Sequence, residues 1–384
     1  MPPLFYALWL ASLVSVLGTA THEVAASWLM TSLKPDPLLV SMVSVASSLP
    51  FFLLVLPAGA LADLFDRRLY LLATQSLMGV CALTLAGLTW QGSVGPVGLL
   101  GLTFLLSVGA ALNSPAWHAL TAEIVDREHL PKAITYSGFA VNGGRTLGPA
   151  LGGFLIAHWG AQAAFAFNAV SFAGVLFVLA AWRRAPQPAT PAPGVRAGLA
   201  YVAGNPQLKR ILVRTLLFVI PASAPLALLP LLVRQSYGAG SEAFGTLITL
   251  FGVGSLLGSS LAHAVRERWS PATQLAVASA GYALLLALLG LVPRFEAALA
   301  AELLAGASWM LALNQLHTST QLATVDQWRS RATAAYLLAL FGGSTLGSAL
   351  WGGVAEFTTP FVALQAAAVA TLAGLAGPRW KKAD

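Results

Sequence analysis

The stretch GGRTLGPALGG, residues 143–153, returns in the second half of the chain as GGSTLGSALWGG, residues 342–353. Just upstream of each copy, EIVDREHLPKA from Glu123 aligns with LATVDQWRSRA from Leu322. Each glycine-rich copy lies inside a long apolar segment, so the repeated unit contains membrane-crossing helices. A repeat of this kind predicts two halves that carry the same order of helices in the same orientation.

Composition places the chain in a lipid bilayer. Of its 384 residues, 57% are hydrophobic and only 9% are charged, whereas soluble domains carry about 25% charged residues. The apolar runs are continuous rather than alternating, which predicts helices and not a barrel. The net charge of +7 is spread singly or in pairs between these runs, so we expect no nucleic-acid partner. Cys81 is the single cysteine, which excludes an intrachain disulfide and a multi-cysteine metal site.

Hydropathy predicts twelve spans in two sets of six, since a spanning helix needs about 20 apolar residues. The first six are expected at 4–33, 38–62, 69–90, 97–119, 133–157 and 161–182. The second six are expected at 209–233, 242–264, 271–292, 295–318, 333–357 and 360–377. This pattern divides the chain into an N-terminal six-helix bundle at 1–182, a cytoplasmic linker at 183–208 and a C-terminal six-helix bundle at 209–384.

The distribution of basic residues predicts the orientation. If both termini are cytoplasmic, most of the 21 Lys and Arg residues lie inside. Only Lys34, Arg234 and Arg294 then lie outside, and Arg145 falls within a span. This satisfies the positive-inside rule at every cytoplasmic loop. We therefore expect a multi-pass protein of a plasma membrane, in bacteria the inner one. The linker is rich in Pro and Ala, which is typical of a spacer, with a short surface helix from Val195.

The loop after the second span carries a recognisable motif. It reads GALADLFDRR, Gly59 to Arg68, and resembles the signature loop of the major facilitator superfamily, Gly-x-x-x-Asp-basic-x-Gly-basic-basic. The matching residues are Gly59, Asp63, Arg67 and Arg68. Leu64 replaces a basic residue and Asp66 replaces the glycine. An acidic residue at that second position is common in the branch of the enterobactin exporter and transmembrane secretion effector proteins.

Other segments resemble the same branch, so the resemblance covers essentially the whole chain. They are NSPAWHALTAEIVDREHLPKA from Asn113, NGGRTLGPALGG from Asn142 and GLAYVAGNPQLKR from Gly198. The resemblance implies an all-α membrane protein with twelve transmembrane helices in two parallel six-helix halves, the major facilitator fold. It also implies a substrate site near the midplane between the halves, opened to each side in turn.

The signature loop, Gly59 to Arg68, predicts a conformational latch. Asp63 ends the second span, where a carboxylate can face the positive N-terminal end of another helix. By the architecture of the resembled superfamily, that helix would be the eleventh span. The two arginines of the loop can pair with Asp66 or with loop carboxylates such as Asp126. The other interpretation is that these residues only anchor the topology.

The segment GRTLGPALGG resembles the glycine-proline motif of drug/proton antiporters. The matching residues are Gly144, Gly148, Pro149, Gly152 and Gly153. Glycines four residues apart let two helices approach closely, and Pro149 permits bending because it removes a backbone donor. The motif favours export over import, and helix packing alone is the other interpretation.

Three charged residues lie inside spans, namely Glu23, Arg145 and Glu302, and such residues are functional candidates. We expect Glu23, with its neighbour His22, or Glu302 to bind the coupling proton. Arg145 would set the affinity for that proton or contact an anionic substrate group. Burial raises a carboxyl pKa and a nearby arginine lowers it, so changing proximity to Arg145 would drive proton uptake and release. Alternatively, Arg145 caps carbonyls freed near Pro149, and Glu23 pairs with His22.

Polar and aromatic residues mark the helices that are expected to border a cavity. The first span carries a polar stripe at intervals of three or four residues, a face typical of a helix beside water. The stripe consists of Ser12, Ser15, Thr19, His22 with Glu23, and Ser27. The further candidates are Asn113, Asn142, Trp309 and Asn314, for which helix-to-helix hydrogen bonds are the other interpretation. Three prolines predict a kink in the seventh span.

These features predict a secondary active transporter that exports a small amphipathic molecule, siderophore-like or drug-like, driven by proton influx. Import, or transport of a lipid or metabolite, uses the same fold and stays open. The sequence has no GxxxxGK[ST] loop, so ATP does not drive this chain. An intramembrane enzyme or a transporter-like sensor is a remote alternative, because no HExxH or GxSxG pattern and no sizeable extramembrane domain occurs. We expect the bilayer, a substrate and protons as partners, a monomer, and neither cofactor nor metal.

Overall fold

The structure is a computed structural model, and it describes residues 1–126, 128–182 and 195–376. Within these ranges every regular element is helical and no strand occurs, which confirms the predicted all-α class. The first seven helices are α1 Pro3–Leu33, α2 Pro37–Leu64, α3 Arg67–Trp90, α4 Pro96–Ile124, α5 Leu130–Trp159, α6 Ala161–Ala181 and α7 Val195–Gly204. The others are α8 Pro206–Ala222, α9 Ala224–Leu231, α10 Ser241–Arg268, α11 Pro271–Leu291, α12 Phe295–Leu322, α13 Arg329–Phe357 and α14 Pro360–Gly374.

Each predicted span coincides with one of these helices, except that α8 and α9 share the seventh. Among the described residues, ten helical segments are long and apolar enough to cross a membrane. The fifth and twelfth spans are not among the ten: α5 is diluted by polar residues, and α14 has only 15 residues. The additional helix α7 lies where the sequence predicts a surface helix, and most of the predicted linker, 183–194, lies outside the described residues.

Local sequence signals begin several helices. Asp66 precedes α3, and its carboxylate accepts the amide N–H of Leu69 at 3.0 Å. Asn205 precedes α8, and its side-chain oxygen accepts the amides of Gln207 and Leu208 at 3.0 and 3.2 Å. Such caps satisfy N–H groups that have no partner inside the first turn.

The seventh span is broken, as its prolines predict. The helix α8 ends at Ala222, α9 begins two residues later, and a π-helical turn follows at Leu232–Ser236. A break leaves backbone carbonyls without helical partners, and side chains of other helices take two of them. The Trp351 indole donates to the carbonyl of Ile220 at 2.8 Å. The Tyr282 hydroxyl donates to the carbonyl of Ala222, also at 2.8 Å.

The helices form two compact units. The first unit contains α1, α3 to α6, the part of α2 from Leu53 onward, and Gly240–Thr249 at the start of α10. The second unit contains Lys34–Phe52, α7 to α9, α10 from Leu250 onward, and α11 to α14. The helices α2 and α10, which occupy equivalent places in the repeat, are therefore each divided between the units. The six-helix bundles read from the sequence stay a prediction.

Within the first unit, α1 packs against α5 and α6, and α3 packs against α4 and α6. Buried side chains that include Leu71, Leu120 and Leu179 form a core between α3, α4 and α6. Within the second unit, α11 packs against α12 and α14, and α8 packs against α13. The functional candidates of each unit lie on these helices.

Candidate substrate and proton site

One face of α1 is polar and accessible to solvent along most of the helix. It consists of Ser12, Ser15, Thr19, Glu23 and Ser27, which we call the α1 stripe. Glu23 is exposed and the four hydroxyl-bearing residues are partly exposed, whereas Ala25 and Ala26 on other faces are fully buried. The structure therefore brings the predicted residues of the first span onto one accessible face.

Arg145 lies on the neighbouring helix α5 and faces accessible space. It is exposed although it lies about 20 Å from either end of α5 at 1.5 Å per residue. Its guanidinium interacts electrostatically with the carboxylate of Glu23, although the two groups are not within the 4.0 Å of an ion pair. Asn142, one turn earlier, is exposed as well. In a bilayer, a charged side chain this far from the helix ends needs either a water-filled cavity or a partner group.

Arg145 donates no hydrogen bond to any described residue. The alternative in which it caps carbonyls near Pro149 is therefore not observed. A guanidinium has five N–H donors, so Arg145 has free donors to offer to a substrate.

His22 lies on a different side of α1 from Glu23. It is only 1% exposed, and its ring lies against that of Phe165 in α6, with 4.9 Å between the ring centroids. Neither ring nitrogen has a hydrogen-bond partner among the described residues. The structure thus does not bring His22 to the α1 stripe, and the alternative pairing of His22 with Glu23 is not formed.

Glu302 is buried inside the second unit. It is 2% exposed, and its Oε1 has no hydrogen-bond partner among the described residues. The phenols of Tyr237 and Tyr282 are close enough to interact with it electrostatically. The sequence predicts that Glu302 faces an accessible cavity, but the structure places it in the interior. The physical reason is that Gly306, one turn further along α12, packs directly against the backbone at Phe251 of α10.

Trp309 lies in an aromatic cluster of the same unit. Its ring centroid is 5.8 Å from that of Phe218 and 6.1 Å from that of Tyr282. It is partly exposed, so one part of its ring packs in the cluster and another part remains accessible. Trp309 is thus placed where an aromatic group of a substrate could touch it.

Two of the predicted cavity asparagines join helices instead. The side-chain oxygen of Asn113 accepts hydrogen bonds from Thr74 at 3.0 Å and Gln75 at 3.3 Å, which links α4 to α3. The amide of Asn314 donates to the hydroxyl of Ser259 at 3.4 Å, which links α12 to α10. For these two residues the observed contacts are those of helix packing.

The arginines of the signature loop bind within the first unit. Arg67 forms an ion pair with Glu123 at the end of α4, where 18% and 9% of the two side chains are exposed. Arg68 donates to the carbonyls of Leu179 and Ala180 at the end of α6, at 3.0 and 2.6 Å. A cation is favourable there because the last carbonyls of a helix carry partial negative charge. These contacts tie α3 to α4 and α6.

The structure also describes Asp66 and Gly59 of the loop. Asp66 caps α3, and the partner found for Arg67 is Glu123 rather than Asp126. Sequence analysis missed Glu123, although its place at the end of the fourth span was a usable signal. A Cβ added to Gly59 would meet no atom within 4 Å. The side chain of Asp63 lies outside what the structure describes, so the latch through Asp63 stays a prediction.

The glycine motif of α5 packs against α1. A Cβ built on Gly144 would lie 2.7 Å from Cγ1 of Val16, and one built on Gly148 would lie 2.5 Å from Cβ of Ala20. Gly152 continues the same strip one turn later. No side chain fits between the helices at these positions, which is the packing interpretation of the motif.

A second side of the motif meets the start of α10 within the first unit. A Cβ on Gly153 would lie 2.6 Å from the carbonyl oxygen of Ser241, and one on Gly245 would lie 2.5 Å from that of Pro149. The Ser241 hydroxyl also donates to the carbonyl of Gly153 at 3.2 Å. The motif thus holds α5 between two helices.

Charged contacts at helix ends form two equivalent pairs that sequence analysis missed. At the end of α5, Nδ1 of His158 lies 3.6 Å from a carboxylate oxygen of Glu242 at the start of α10. Before α2, the carboxyl group of Asp36 lies close enough to that of Glu356, at the end of α13, for the two to interact. The internal repeat could have revealed that the two pairs are equivalent. It relates α2 to α10 and α5 to α13, so a contact between α5 and α10 corresponds to one between α13 and α2. Among the described residues, no group of three or more His, Cys, Asp or Glu is arranged to hold a metal.

The overall architecture is that of known transporters. A crystal structure of a bacterial homologue of the iron transporter ferroportin, in the inward-facing state, superposes with a TM-score of 0.74 at 15% identity. The match covers 97% of this chain and 98% of that one. At this identity the likeness shows the fold alone, which is the twelve-span major facilitator fold. Together with a family match over residues 2–380, this fold makes the protein a multi-pass membrane transporter of the major facilitator superfamily and not an enzyme.

The family match narrows the assignment to one branch of the superfamily. Residues 2–380 match the model of the transmembrane secretion effector family, and the chain belongs to that family. The Staphyloferrin A transporter of Staphylococcus aureus is 23% identical over 252 residues, which are 64% of this chain and 64% of that protein. The Enterobactin exporter EntS of Shigella flexneri is 25% identical over 378 residues, which are 95% of this chain and 88% of that protein. The chain therefore spans slightly less than two thirds of the first relative and most of the second.

Proposed function

We propose that the protein exports a small amphipathic, siderophore-like or drug-like molecule in exchange for protons. It would act as a monomer in the bacterial inner membrane, with both termini in the cytoplasm. The observation that carries this proposal is the exposed Arg145 beside Glu23, in the middle of the first unit and next to the α1 stripe. The two relatives, a staphyloferrin A transporter and an enterobactin exporter, support a siderophore-like substrate.

The chemistry of this face defines what it can bind. Arg145 offers a cation with free donors to an acidic group of a substrate, because charge-assisted hydrogen bonds are the stronger ones. The hydroxyls of Ser15 and Thr19 can exchange hydrogen bonds with substrate hydroxyls. The surrounding apolar helices accept the apolar part of the molecule. A compound with acidic, hydroxyl and apolar parts fits all three.

Exchange of substrate for protons follows if the two compete for the same carboxylate. An ionised Glu23 accepts hydrogen bonds from substrate hydroxyls, and a proton on the same carboxylate weakens this acceptance because it removes the charge and turns one oxygen into a donor. Protonation from the outer side therefore releases substrate, and proton loss on the inner side restores the site. Glu302 is the second candidate for the proton, since its carboxylate is buried with one oxygen unpartnered and has room for a proton at that atom.

The test is transport in vesicles that contain the purified protein. An imposed pH gradient should drive flux of enterobactin or staphyloferrin A. Glu23→Gln or Glu302→Gln should abolish the pH-driven part. Glu296→Gln is the matched control, because Glu296 is an exposed carboxylate in the first turn of α12. Full proton-driven flux in both Glu23→Gln and Glu302→Gln would show that neither carries the proton.

The direction of transport and the role of Asp63 as a latch need separate measurements. Vesicles of the two orientations distinguish export from import, because only one orientation should accumulate substrate under a given gradient. Asp63→Asn should slow transport without preventing membrane insertion if Asp63 latches the closed state. An unchanged transport rate in that variant would leave only the role of a topology anchor.

A further inference from the structure

The second unit contains two buried polar atoms that have no hydrogen-bond partner among the described residues. One is Oε1 of Glu302 in α12, and the other is the hydroxyl oxygen of Tyr237, just after the seventh span. The two side chains are close enough to interact electrostatically, although no hydrogen bond joins them. A buried polar group without a partner costs free energy, so two of them near each other need an explanation.

The position of Tyr237 follows from the wide turn that ends the seventh span. The amide of Tyr237 donates to the first carbonyl of the π-helical turn Leu232–Ser236 at 2.9 Å. Gly238 follows with φ +61°, a conformation that glycine adopts readily. The Tyr237 ring packs edge-on against Phe295, with 6.2 Å between the ring centroids. Because Phe295 lies two turns before Glu302 on the same face of α12, the ring lies over the turns that lead to Glu302.

A second phenol near Glu302 is already engaged. The Tyr282 hydroxyl, on α11, interacts electrostatically with the carboxylate but donates to the carbonyl of Ala222 at 2.8 Å. No charged side chain among the described residues acts on the Glu302 carboxylate, and α10 meets this part of α12 through Gly254 and other small residues. Of the two phenols near Glu302, Tyr237 thus has the free donor.

The hydroxyl of Tyr237 keeps its proton over the physiological pH range. Burial, together with the nearby Glu302 carboxylate, raises the pKa of Tyr237 to about 12. Tyr237 is therefore a hydrogen-bond donor whether Glu302 is protonated or ionised. A protonated carboxyl group carries a donor of its own, whereas an ionised carboxylate in a buried place needs donors from its surroundings.

We propose that Tyr237 is a positioning residue for the proton on Glu302, and that its hydroxyl turns to donate to the carboxylate when Glu302 ionises. The O–H bond of Glu302 breaks and its proton passes to water, while the O–H bond of Tyr237 stays intact. When the proton returns, the Tyr237 hydroxyl turns away to the unpartnered position of this structure. The charge of Glu302 is thereby linked to the turn after the seventh span. This inference deepens the proposed function and rests on Glu302 as a carrier of the coupling proton.

Infrared spectroscopy of the full-length protein in detergent tests this role without requiring transport. The carboxyl C=O band that is missing in Glu302→Gln belongs to Glu302, and its loss with rising pH marks deprotonation. In Tyr237→Phe this loss should occur about one to two pH units higher than in the wild type, because a hydrogen bond to the charged form favours that form. Tyr336→Phe is the matched control and should leave the pH of loss unchanged. Tyr336 is a buried phenol of the same unit, and its hydroxyl donates to the carbonyl of Leu313 at 3.3 Å.

The melting temperature of Tyr237→Phe gives a second measurement. The variant keeps the ring that packs against Phe295, so it should be at least as stable as the wild type at low pH, where Glu302 is protonated. It should become less stable than the wild type at high pH, where the donor is missing. A lower melting temperature already at low pH would overturn the inference, because the hydroxyl would then be bonded in the protonated state.

The infrared experiment has two further decisive outcomes. Loss of the Glu302 band at the same pH in Tyr237→Phe and wild type would overturn the inference, and so would a band that does not change with pH. If the band shifts as expected but an imposed pH gradient drives no flux in vesicles, the proposed function fails while the role of Tyr237 stands.

Discussion

Gly148 of α5 lies directly against Ala20 of α1, so that a Cβ built on Gly148 would be 2.5 Å from the Cβ of Ala20. The obstructing atom is the methyl group of a buried alanine and cannot move aside as the end of a long side chain could. This contact sets the distance between α1 and α5. It therefore also sets where Arg145 stands relative to Glu23.

Gly148→Ala should lower the melting temperature of the detergent-solubilised protein. Overpacking of a tight contact typically costs about 1–3 kcal/mol. Gly143→Ala on the same helix is the control, because a Cβ there meets no atom within 4 Å. Alanine at that position should be neutral or stabilise the helix by up to about 1 kcal/mol. Equal melting temperatures of the two variants would contradict the packing account.

Replacing either partner of the Arg67–Glu123 ion pair should destabilise the first unit. Both side chains are largely buried, and leaving one buried charged group without its partner costs about 1–3 kcal/mol or more. The double variant Arg67→Ala with Glu123→Ala should be less destabilised than the sum of the two single variants. A thermal-unfolding double-mutant cycle measures this coupling.

The exposed pair Lys34 and Asp36 provides the comparison for that cycle. Their charged atoms are 3.6 Å apart and 60% of the Lys34 side chain is exposed. Lys34→Ala should change stability by less than about 1 kcal/mol, because exposed ion pairs contribute little. If Arg67→Ala were as mild as Lys34→Ala, the tie between α3 and α4 would not be structural.

Tyr282→Phe should destabilise the second unit at the break in the seventh span. The lost hydroxyl leaves the buried carbonyl of Ala222 without the hydrogen bond that it receives at 2.8 Å. An unsatisfied buried acceptor costs about 1–3 kcal/mol. Tyr6→Phe is the control, since Tyr6 is 43% exposed and its hydroxyl has no partner among the described residues. Thermal unfolding of both variants should show a loss for Tyr282→Phe alone.

The stabilising effect of Asp36 should depend on pH. The pKa of Asp36 is held below its ordinary value, chiefly because its carboxylate accepts the amide N–H of Leu39, with smaller contributions from Glu356 and Lys34. A pKa that is lower in the folded than in the unfolded state stabilises the protein above the unfolded pKa. That stabilisation is lost as the pH falls through the folded pKa.

The difference in unfolding free energy between wild type and Asp36→Ala should therefore be largest near neutral pH, at about 1 kcal/mol for a helix cap. It should shrink as the pH falls below about 4. Asp36→Asn retains a cap without a titrating group, so residue 36 should not make the stability of that variant depend on pH in this range. A constant difference between wild type and Asp36→Ala from neutral to acid pH would exclude the charge of Asp36 as the cause.

The positions of the spans were predictable because each membrane-crossing helix is a continuous apolar stretch of the sequence. Each of the twelve predicted spans coincides with described helix, and the prolines of the seventh span predicted its break. The repeat and the signature loop predicted the superfamily and the family branch, which the family match confirms. The periodicity of the first span also predicted an accessible polar face, because residues four apart share one side of a helix.

Partners between helices were not predictable in the same way. Arg67 meets Glu123 and not Asp126, Asn113 bonds to α3, and Glu302 is buried although its spacing allowed it to face a cavity. By itself the sequence determined how many helices cross the membrane and which residues share a face. Only the tertiary structure decided which faces meet, because the rotation and crossing of packed helices depend on how their side chains interlock.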